Sequence, residues 1–353
     1  MFIRTHQQKK KSYLTAVIIL LVCFAIMMSA CGGSESPATS GLNDSSPETH
    51  NEASPELSES DSTTAEGPFM TFQDAADRTI TLQHQPERIV VLSPEYLDLL
   101  YAVGGKAVGR MDATGVSIPG EAESITSVGT VSQINLEQVV ALRPDLVIGQ
   151  TRFHKDLIQA LESSEIPVAL MSLSSYEDMK SKAEWMAKIA GTEDQLPEKL
   201  KALDERVDAV LAQLPKEKRT FINLNVTPGG ISIQKNGTTG LEIAKMLGLT
   251  NAAETLEPSP NSPTTTPYSM ETLVQQDPDY IFLIIHGQRA AGEQKIQEEL
   301  EGNPAWASIR AVREQRVILV PSDLFLTNPG LQYDESLTYL ASMVYPELFG
   351  DAQ

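Results

Sequence analysis

Cysteine is almost absent from this chain of 353 residues, which contains Cys23 and Cys31 and no other. Both lie near the N-terminus, so the rest of the chain has neither the disulfides nor the thiolate metal sites that stabilise many exported domains. Basic residues are also scarce, because 27 Lys and Arg stand against 47 Asp and Glu, for a formal net charge of −20. Nucleic-acid binding needs clustered positive charge, so the sequence excludes a nucleic-acid partner.

The first 31 residues have the pattern of a lipoprotein signal. Four basic residues precede an apolar run of 15 residues, 14–28, and Ser29 and Ala30 follow it directly before Cys31. A basic region, a short apolar stretch and small residues before the cleavage point are typical of a secretory signal peptide. The pattern predicts removal of residues 1–30 and acylation of the Cys31 thiol. An uncleaved anchor is the alternative, although the run is shorter than the ~20 residues that span a bilayer.

Residues 31–67 are predicted to be the lipidated Cys and a disordered acidic tether. They carry eight Asp and Glu, no Lys or Arg, and almost no large apolar side chains. Such a segment cannot bury enough apolar surface to offset the entropy of ordering it. The folded part is therefore expected to begin near residue 68, held by its lipid to the extracellular face of the cell membrane.

After the tether, short apolar runs alternate with helical patterns. The clearest runs are 88–92, 145–149, 220–226 and 280–285. Buried strands that alternate with helices indicate parallel sheets covered on both faces. We predict an α/β fold of two Rossmann-like lobes, 68–176 and 216–353, with a ligand cleft between them. A helical connector, 177–215, is predicted to join the lobes as one long α-helix with a break at Gly191-Thr192.

Two matched segments, 135–148 and 269–282, suggest a pseudo-symmetric protein. Each consists of a polar cap, a Glu in the first helical turn, an apolar helix face, a Pro-Asp pair and a buried strand. Capping and the helix dipole explain a single carboxylate near a helix N-terminus. The recurrence of Glu137 and Glu271 in both lobes instead suggests that two carboxylates meet two cationic pockets on a symmetric partner.

The order of these motifs resembles the substrate-binding proteins of ABC importers for iron–siderophore complexes, haem and cobalamin, in the class with a single long connecting helix. The similarity covers 69–345 and includes the Asp77-Arg78 hairpin, residues 86–94 and both matched segments. The resemblance implies a binding protein rather than an enzyme, with a ferric siderophore as its ligand. It also implies that Glu137 and Glu271 dock onto an ABC permease dimer and its ATPase. We expect a monomer with no cofactor besides the lipid; haem or cobalamin is the alternative ligand.

A rule of open α/β sheets locates the cleft, because ligands bind outside the carboxyl ends of the strands. The loops at these ends are 93–96, 110–114, 130–133 and 150–154 in the first lobe, and 227–231, 236–239, 263–268, 286–289 and 322–325 in the second. Guanidinium groups recognise the oxygens of anionic iron chelates, and imidazole suits iron. The predicted ligand-binding residues are Tyr96, Arg110, Arg152, His154, Tyr268, His286 and Arg289.

Two of these residues leave alternatives open. His286 is a possible metal ligand, although indirect contact through the chelate is the preferred interpretation. His154 is placed equally well in ligand contact or in solvent. A haem ligand is disfavoured because the loop 130–133, where haem-binding members of the family commonly carry a methionine, has none.

A surface-anchored hydrolase on the same scaffold is the competing class. The sequence contains no Gly-x-Ser-x-Gly elbow and no His-Glu-x-x-His zinc signature. Glu137 and Glu271 are expected on separate lobes, too far apart for the paired carboxylates of a glycosidase. Retention of a ligand without turnover separates the two classes.

Overall fold

The computed structural model describes residues 67–112 and 117–350. The signal peptide, Cys31 and the tether therefore lie outside the described residues. The described chain opens with the predicted hairpin, formed by β1 (Met70–Gln73) and β2 (Thr79–Leu82). The Asp74 carboxylate fixes its turn by accepting hydrogen bonds from the backbone N–H groups of Ala76 and Arg78.

A six-stranded sheet forms the first lobe. Its strands are β3 (Ile89–Val91), β4 (Gly109–Asp112), β5 (Thr126–Thr130), β6 (Gln133–Ile134), β7 (Leu146–Gln150) and β8 (Val168–Met171). They lie in the order β6-β5-β4-β3-β7-β8, and all pairs are parallel except β5–β6. Every residue of β3 and β8 is buried, as expected for strands covered on both faces.

The second lobe also contains a six-stranded sheet. Its strands are β9 (Arg219–Thr227), β10 (Gly230–Gln234), β11 (Leu249–Asn251), β12 (Thr265–Pro267), β13 (Tyr280–Ile285) and β14 (Val317–Leu319). The order is β12-β10-β9-β13-β14, with β11 paired to β9. The antiparallel arm of β10 and β12 departs from a parallel sheet. Only Pro228 and Gly229 connect β9 to β10, and a parallel crossover needs a dozen residues or more.

Helices surround both sheets. They are α1 (Pro94–Ala102), α2 (Leu136–Ala141), α3 (Thr151–His154), α4 (Ile158–Glu162), α5 (Tyr176–Ala190), α6 (Leu196–Leu211), α7 (Thr239–Met246), α8 (Met270–Gln276), α9 (Arg289–Ile296), α10 (Arg310–Arg313), α11 (Ser322–Phe325), α12 (Tyr333–Val344) and α13 (Pro346–Phe349). In the part of the chain that the structure describes, no helix has the length and apolar character needed to cross a membrane.

The connector between the lobes consists of two helices, α5 and α6, rather than one continuous helix. α5 ends at the predicted break, because Gly191 adopts a left-handed φ of 68° that favours glycine. α6 then begins at Leu196, with a proline in its first turn. The Tyr176 hydroxyl donates a hydrogen bond of 2.8 Å to the Asp204 carboxylate and ties the two helices together.

A continuous cluster of buried side chains runs through both lobes and the connector. It includes Val91 in β3, Leu203 in α6, Phe221 in β9 and Leu337 in α12. Helix α5 packs against α1, and α6 packs against α12. Because protein cores are close-packed, the lobes cannot rotate far against each other without disturbing this shared core.

The matched segments occupy equivalent positions in the two lobes. Asn135 caps α2 by accepting from the backbone N–H of Gln138, and Ser269 caps α8 by accepting from that of Thr272. Each helix leads into a strand that pairs in parallel with the first strand of the six-stranded sheet in its lobe, β7 with β3 and β13 with β9. The sequence repeat therefore corresponds to a structural repeat.

The shared core gives a testable expectation for stability. Leu203 is fully buried, so Leu203→Ala should lower the free energy of unfolding of the whole domain by about 3 kcal/mol through lost burial and an unfilled cavity. Denaturant unfolding followed by circular dichroism and fluorescence should show one transition. The matched control is the exposed Lys201→Ala, expected to change stability by less than about 0.5 kcal/mol. Two separate transitions would contradict the shared core.

Candidate functional site

A cleft of about 890 Å³ lies between the two sheets, at the carboxyl ends of their strands. Each of the nine loops predicted from the carboxyl-end rule contributes at least one lining residue. Representative residues are Glu95, Met111 and Val131 from the first lobe, and Thr238 and His286 from the second. The rule therefore located the cleft correctly from sequence alone.

The floor of the cleft in the second lobe is a polar sheet face that the sequence analysis missed. Asn223, Asn225 and Thr227 alternate along β9 with buried apolar residues that face the core. Ser232 pairs with Asn225 in the antiparallel ladder, and Gln234 pairs with Asn223. The sequence contains the pattern that predicts this face, because polar and apolar residues that alternate are typical of a strand with one polar face.

A chain of amide side chains ties this floor to His286. The Asn225 side-chain amide donates to the Gln234 carbonyl oxygen, and the Gln234 amide donates to the backbone carbonyl of Asn236. His286 Nε2 lies 3.4 Å from Asn225 Oδ1, the distance of a long hydrogen bond. Burial and the positive charge of Arg152 both lower the pKa of His286. The imidazole is therefore a neutral group at neutral pH.

The first lobe supplies the charged groups among the described lining residues of the cleft, together with one exposed aromatic ring. Arg152 follows β7 directly, and its guanidinium lies 5.3 Å from the ring centroid of Phe153. The Arg152 side chain makes no hydrogen bond or ion pair with another described residue, and Phe153 is 43% exposed. An exposed cation beside an exposed aromatic ring in a cleft is suited to contact with a ligand.

Glu95 joins the two lobes at the base of the cleft. Its Oε1 accepts a hydrogen bond of 2.7 Å from the Gln150 amide in the first lobe. Its Oε2 accepts from the backbone N–H of the buried Asn328 in the second lobe, at 3.2 Å. Burial raises the pKa of Glu95, because desolvation disfavours the carboxylate.

Two of the three predicted arginines lie outside the cleft lining. Arg110 turns toward its own lobe, where it donates to the backbone carbonyls of Met111, Ala122 and Glu123 and pairs with Asp112. Arg289 is exposed on α9 and pairs with Glu293 one turn later, at 2.8 Å. Neither Arg110 nor Arg289 is among the residues that line the cleft, and Arg152 is the predicted arginine that lines it.

The two predicted tyrosines also serve packing. Tyr96 is 1% exposed and belongs to the shared core, although it borders a small cavity beside the cleft. Tyr268 packs against the core of the second lobe and donates from its hydroxyl to the backbone carbonyl of Glu299. Burial raises the pKa of Tyr268 to about 12. Neither aromatic ring is among the residues that line the main cleft.

His154 is neither a ligand contact nor a solvent-exposed residue. It is 1% exposed, and its Nδ1 accepts a hydrogen bond of 2.8 Å from the backbone N–H of Gln150. Its Nε2 donates to the backbone carbonyl of Val131, also at 2.8 Å. This hydrogen bond fixes the loop 130–133, which contributes Val131 to the cleft lining. Gly149 leaves room for the ring, because a Cβ there would lie 2.9 Å from Nδ1. His154 is a positioning residue.

Glu137 and Glu271 are exposed in the first turns of α2 and α8, as predicted. One turn beyond each carboxylate stands an exposed valine, Val140 at 40% and Val274 at 39%. The other exposed large hydrophobic residues among those described are Phe153 in the cleft and Leu348 in α13. Across the described ranges, no group of three or more His, Cys, Asp or Glu is arranged to hold a metal ion.

Two α/β lobes on a shared core, with a cleft of mixed polar and apolar lining between their carboxyl edges, define a protein of the solute-binding class. The periplasmic binding protein family model matches residues 89–324, and the chain belongs to this family. It is 28% identical over 340 residues to the Fe(3+)-citrate-binding protein YfmC of Bacillus subtilis, covering 94% of this chain and 96% of that protein.

Solved structures show the same fold at lower sequence identity. Staphylococcus aureus SirA complexed with staphyloferrin B matches with a TM-score of 0.64 and 18% identity, covering 78% of this chain and 98% of that chain. S. aureus IsdE complexed with heme matches with a TM-score of 0.62 and 19% identity, over 73% of this chain and 98% of that chain. These two structures share the fold of this chain and are complexed with different molecules.

The geometry of His154 predicts a pH dependence of stability. Burial lowers the pKa of His154 in the folded protein, whereas the unfolded side chain titrates near pH ~6.5. Between these two pKa values the unfolded chain binds a proton at His154 and the folded chain does not. The free energy of unfolding should therefore fall as pH drops from about 6.5 toward the lowered pKa.

Urea unfolding at a series of pH values measures this dependence. His154→Gln should flatten the slope below pH ~6.5, whereas His84→Gln, which changes an exposed histidine, should keep it. His286 has a lowered pKa as well, so the double variant with His286→Gln should be flatter still. An unchanged slope in both His154 variants would contradict the assignment of a buried neutral imidazole.

Proposed function

We propose that this protein is the extracytoplasmic receptor of an ABC importer, and that it captures a ferric siderophore and delivers it to the permease. The observation that carries this proposal is the cleft, which sets one free guanidinium and an aromatic ring opposite a face of amides and hydroxyls. Such a surface hydrogen-bonds the oxygen atoms of an iron chelate, and the described residues provide no cluster of metal ligands. Iron then stays in its chelator.

The N-terminal signal supports a location at the cell surface. In this proposal acylated Cys31 holds the mature chain to the extracellular face of the membrane. The acidic segment 32–67 lets the folded part move between solution and the permease. Its negative charge also keeps it away from an anionic membrane surface.

Glu137 and Glu271 are proposed to dock the loaded receptor onto the permease. Both carboxylates are exposed and occupy equivalent positions of a structural repeat, which suits a partner with two equivalent basic pockets. Val140 and Val274 stand one helical turn beyond them and are exposed to almost the same extent. Each docking patch thus combines one carboxylate with one apolar side chain.

Binding of ferric chelates tests the first half of the proposal. Arg152→Ala should weaken ferric siderophore binding by about 10- to 100-fold, because it removes a charge-assisted hydrogen bond to a chelate oxygen. Isothermal titration calorimetry measures the dissociation constant. The control is Arg289→Ala, which removes an exposed arginine outside the cleft and should leave affinity unchanged. Equal losses in both variants would argue against Arg152 as a ligand contact.

Iron uptake by cells tests the second half of the proposal, which is delivery of the chelate to the permease. The double variant Glu137→Ala, Glu271→Ala should bind the ferric chelate normally and abolish uptake of radioactive iron by cells that carry the cognate permease. The double variant Val140→Ser, Val274→Ser should reduce uptake, whereas Leu348→Ser, which changes an equally exposed residue on α13, should not. Loss of ligand affinity in the glutamate variant would show that the docking assignment is wrong.

Haem is a second candidate ligand, because His286 lines the cleft in one lobe and Met111, which is fully buried, borders it in the other. Methionine and histidine form a known axial pair for haem iron. A haem complex should give a Soret shift that His286→Ala abolishes. Such a result would change the ligand and keep the transport role.

A further inference from the structure

A smaller cavity of about 370 Å³ adjoins the main cleft on the side of the first lobe. It lies at the carboxyl ends of β7 and β8, the edge of the sheet where α/β folds bind ligands. Four residues line both spaces: Glu95, Gln150, Arg152 and Leu173. The side cavity is further lined by Tyr96, Thr151, Lys155, Met171 and Ser172. A ligand in the main cleft therefore has an adjoining space into which one of its groups can extend.

Hydrogen bonds between the strand ends fix the wall of the side cavity. The Thr151 hydroxyl donates to the backbone carbonyl of Met171 at 3.1 Å and joins the end of β7 to that of β8. The Gln150 amide donates to the Ser93 hydroxyl at 2.9 Å and to the Glu95 carboxyl at 2.7 Å. The polar groups of this wall are thus held in place before any ligand enters.

The charged groups available in the side cavity are positive. Neither Arg152 nor Lys155 forms an ion pair with another residue that the structure describes. Glu95 is the acidic residue among the described lining residues, and burial raises its pKa. Both oxygens of Glu95 already accept hydrogen bonds, from the Gln150 amide and from the backbone N–H of Asn328. Two cations therefore remain to meet a ligand.

The two cations project from the same short helical segment. Lys155 follows Arg152 by three residues, the spacing that places two side chains on one side of a helical turn. The Arg152 guanidinium lies 5.3 Å from the centroid of the Phe153 ring, a cation–π contact that orients it. Asp156 is the acidic residue next in the chain, and it forms no ion pair with either cation. The guanidinium stands at the boundary of the two spaces, with the ammonium on the side-cavity side.

A carboxylate is the group that a guanidinium and an ammonium recognise together, through charge-assisted hydrogen bonds. A chelator with several carboxylates binds iron with some of them and leaves others uncoordinated, whereas a trihydroxamate commits all its acidic groups to iron. We propose that the side cavity is a second subsite, in which Arg152 and Lys155 hold a carboxylate arm of the chelate that iron does not use. This inference rests on the proposed function and names oligocarboxylate chelates as the ligand class.

Calorimetric titration of the full-length protein in detergent with ferric citrate tests the subsite. Lys155→Gln should weaken binding by about fivefold, because it removes one charge-assisted contact at a solvent-accessible site. Lys155→Arg keeps the charge and should bind within about twofold of the unchanged protein. The matched control is Lys188→Gln, which changes an exposed lysine that lines neither space and should leave affinity unchanged.

Salt and a double variant give two further readouts. The loss caused by Lys155→Gln should shrink at about 500 mM salt, because salt screens a solvent-accessible charge. The double variant Arg152→Gln, Lys155→Gln should lose at least about 100-fold in affinity for ferric citrate. Lys155 is exposed, so its substitution should leave the fold intact. A loss that Lys155→Arg does not restore would contradict the charge contact.

Two companion probes, iron-free citrate and the trihydroxamate ferrichrome, separate this inference from the proposed function. Iron-free citrate bound as tightly as ferric citrate would show an anion site that is independent of the iron complex and would overturn the subsite. Ferric citrate affinity that is unchanged in Lys155→Gln would overturn it as well. Binding of ferrichrome without binding of ferric citrate would overturn the subsite and keep the iron receptor. Absence of binding for both iron complexes would overturn the receptor assignment itself.

Discussion

The structure depends on one constraint, a buried core that both lobes share. The connector helices α5 and α6 are part of this core, and each packs against a helix of a different lobe. This packing holds two separate sheets with their carboxyl edges facing each other. The cleft is thus a consequence of how the lobes are joined, and its width is set by close packing rather than by a flexible hinge.

The hydrogen bonds of Glu95 extend that constraint into the cleft. One carboxylate accepts from Gln150 in the first lobe and from the backbone of Asn328 in the second. Burial raises the pKa of Glu95, because desolvation disfavours the charged carboxylate. Glu95 therefore acts at the base of the cleft as a hydrogen-bonded bridge between the lobes.

The fold and the position of the cleft could be predicted from the sequence because both follow from periodicity and topology. Buried strands, helix caps at Asn135 and Ser269, and the glycine break at Gly191 are local signals. The carboxyl-end rule then selected all nine loops, although it says nothing of which way a side chain turns. The alternation of Asn and apolar residues along β9 predicts one polar face, and this prediction was not made from the sequence.

The roles of individual residues were harder to predict, because they depend on partners distant in sequence. Arg110 donates to carbonyls 12 and 13 positions later, and His154 to a carbonyl 23 positions earlier. No local sequence pattern predicts contacts between residues this far apart in the chain. An arginine that follows a strand can contact a ligand or can hydrogen-bond the backbone of a neighbouring loop. The packing of the loops decides which of the two occurs.

In the proposed function, a preformed cleft between two rigidly joined lobes holds a ferric chelate. A crystal structure of the complex, with iron located by its anomalous scattering, is the sharpest test. We expect an iron peak in the cleft between Arg152 and Asn225, beyond bonding distance of protein side chains, with the two lobes superimposing on the unliganded structure within ~1 Å. Iron elsewhere on the surface, or a large rotation of one lobe about α5 and α6, would contradict it.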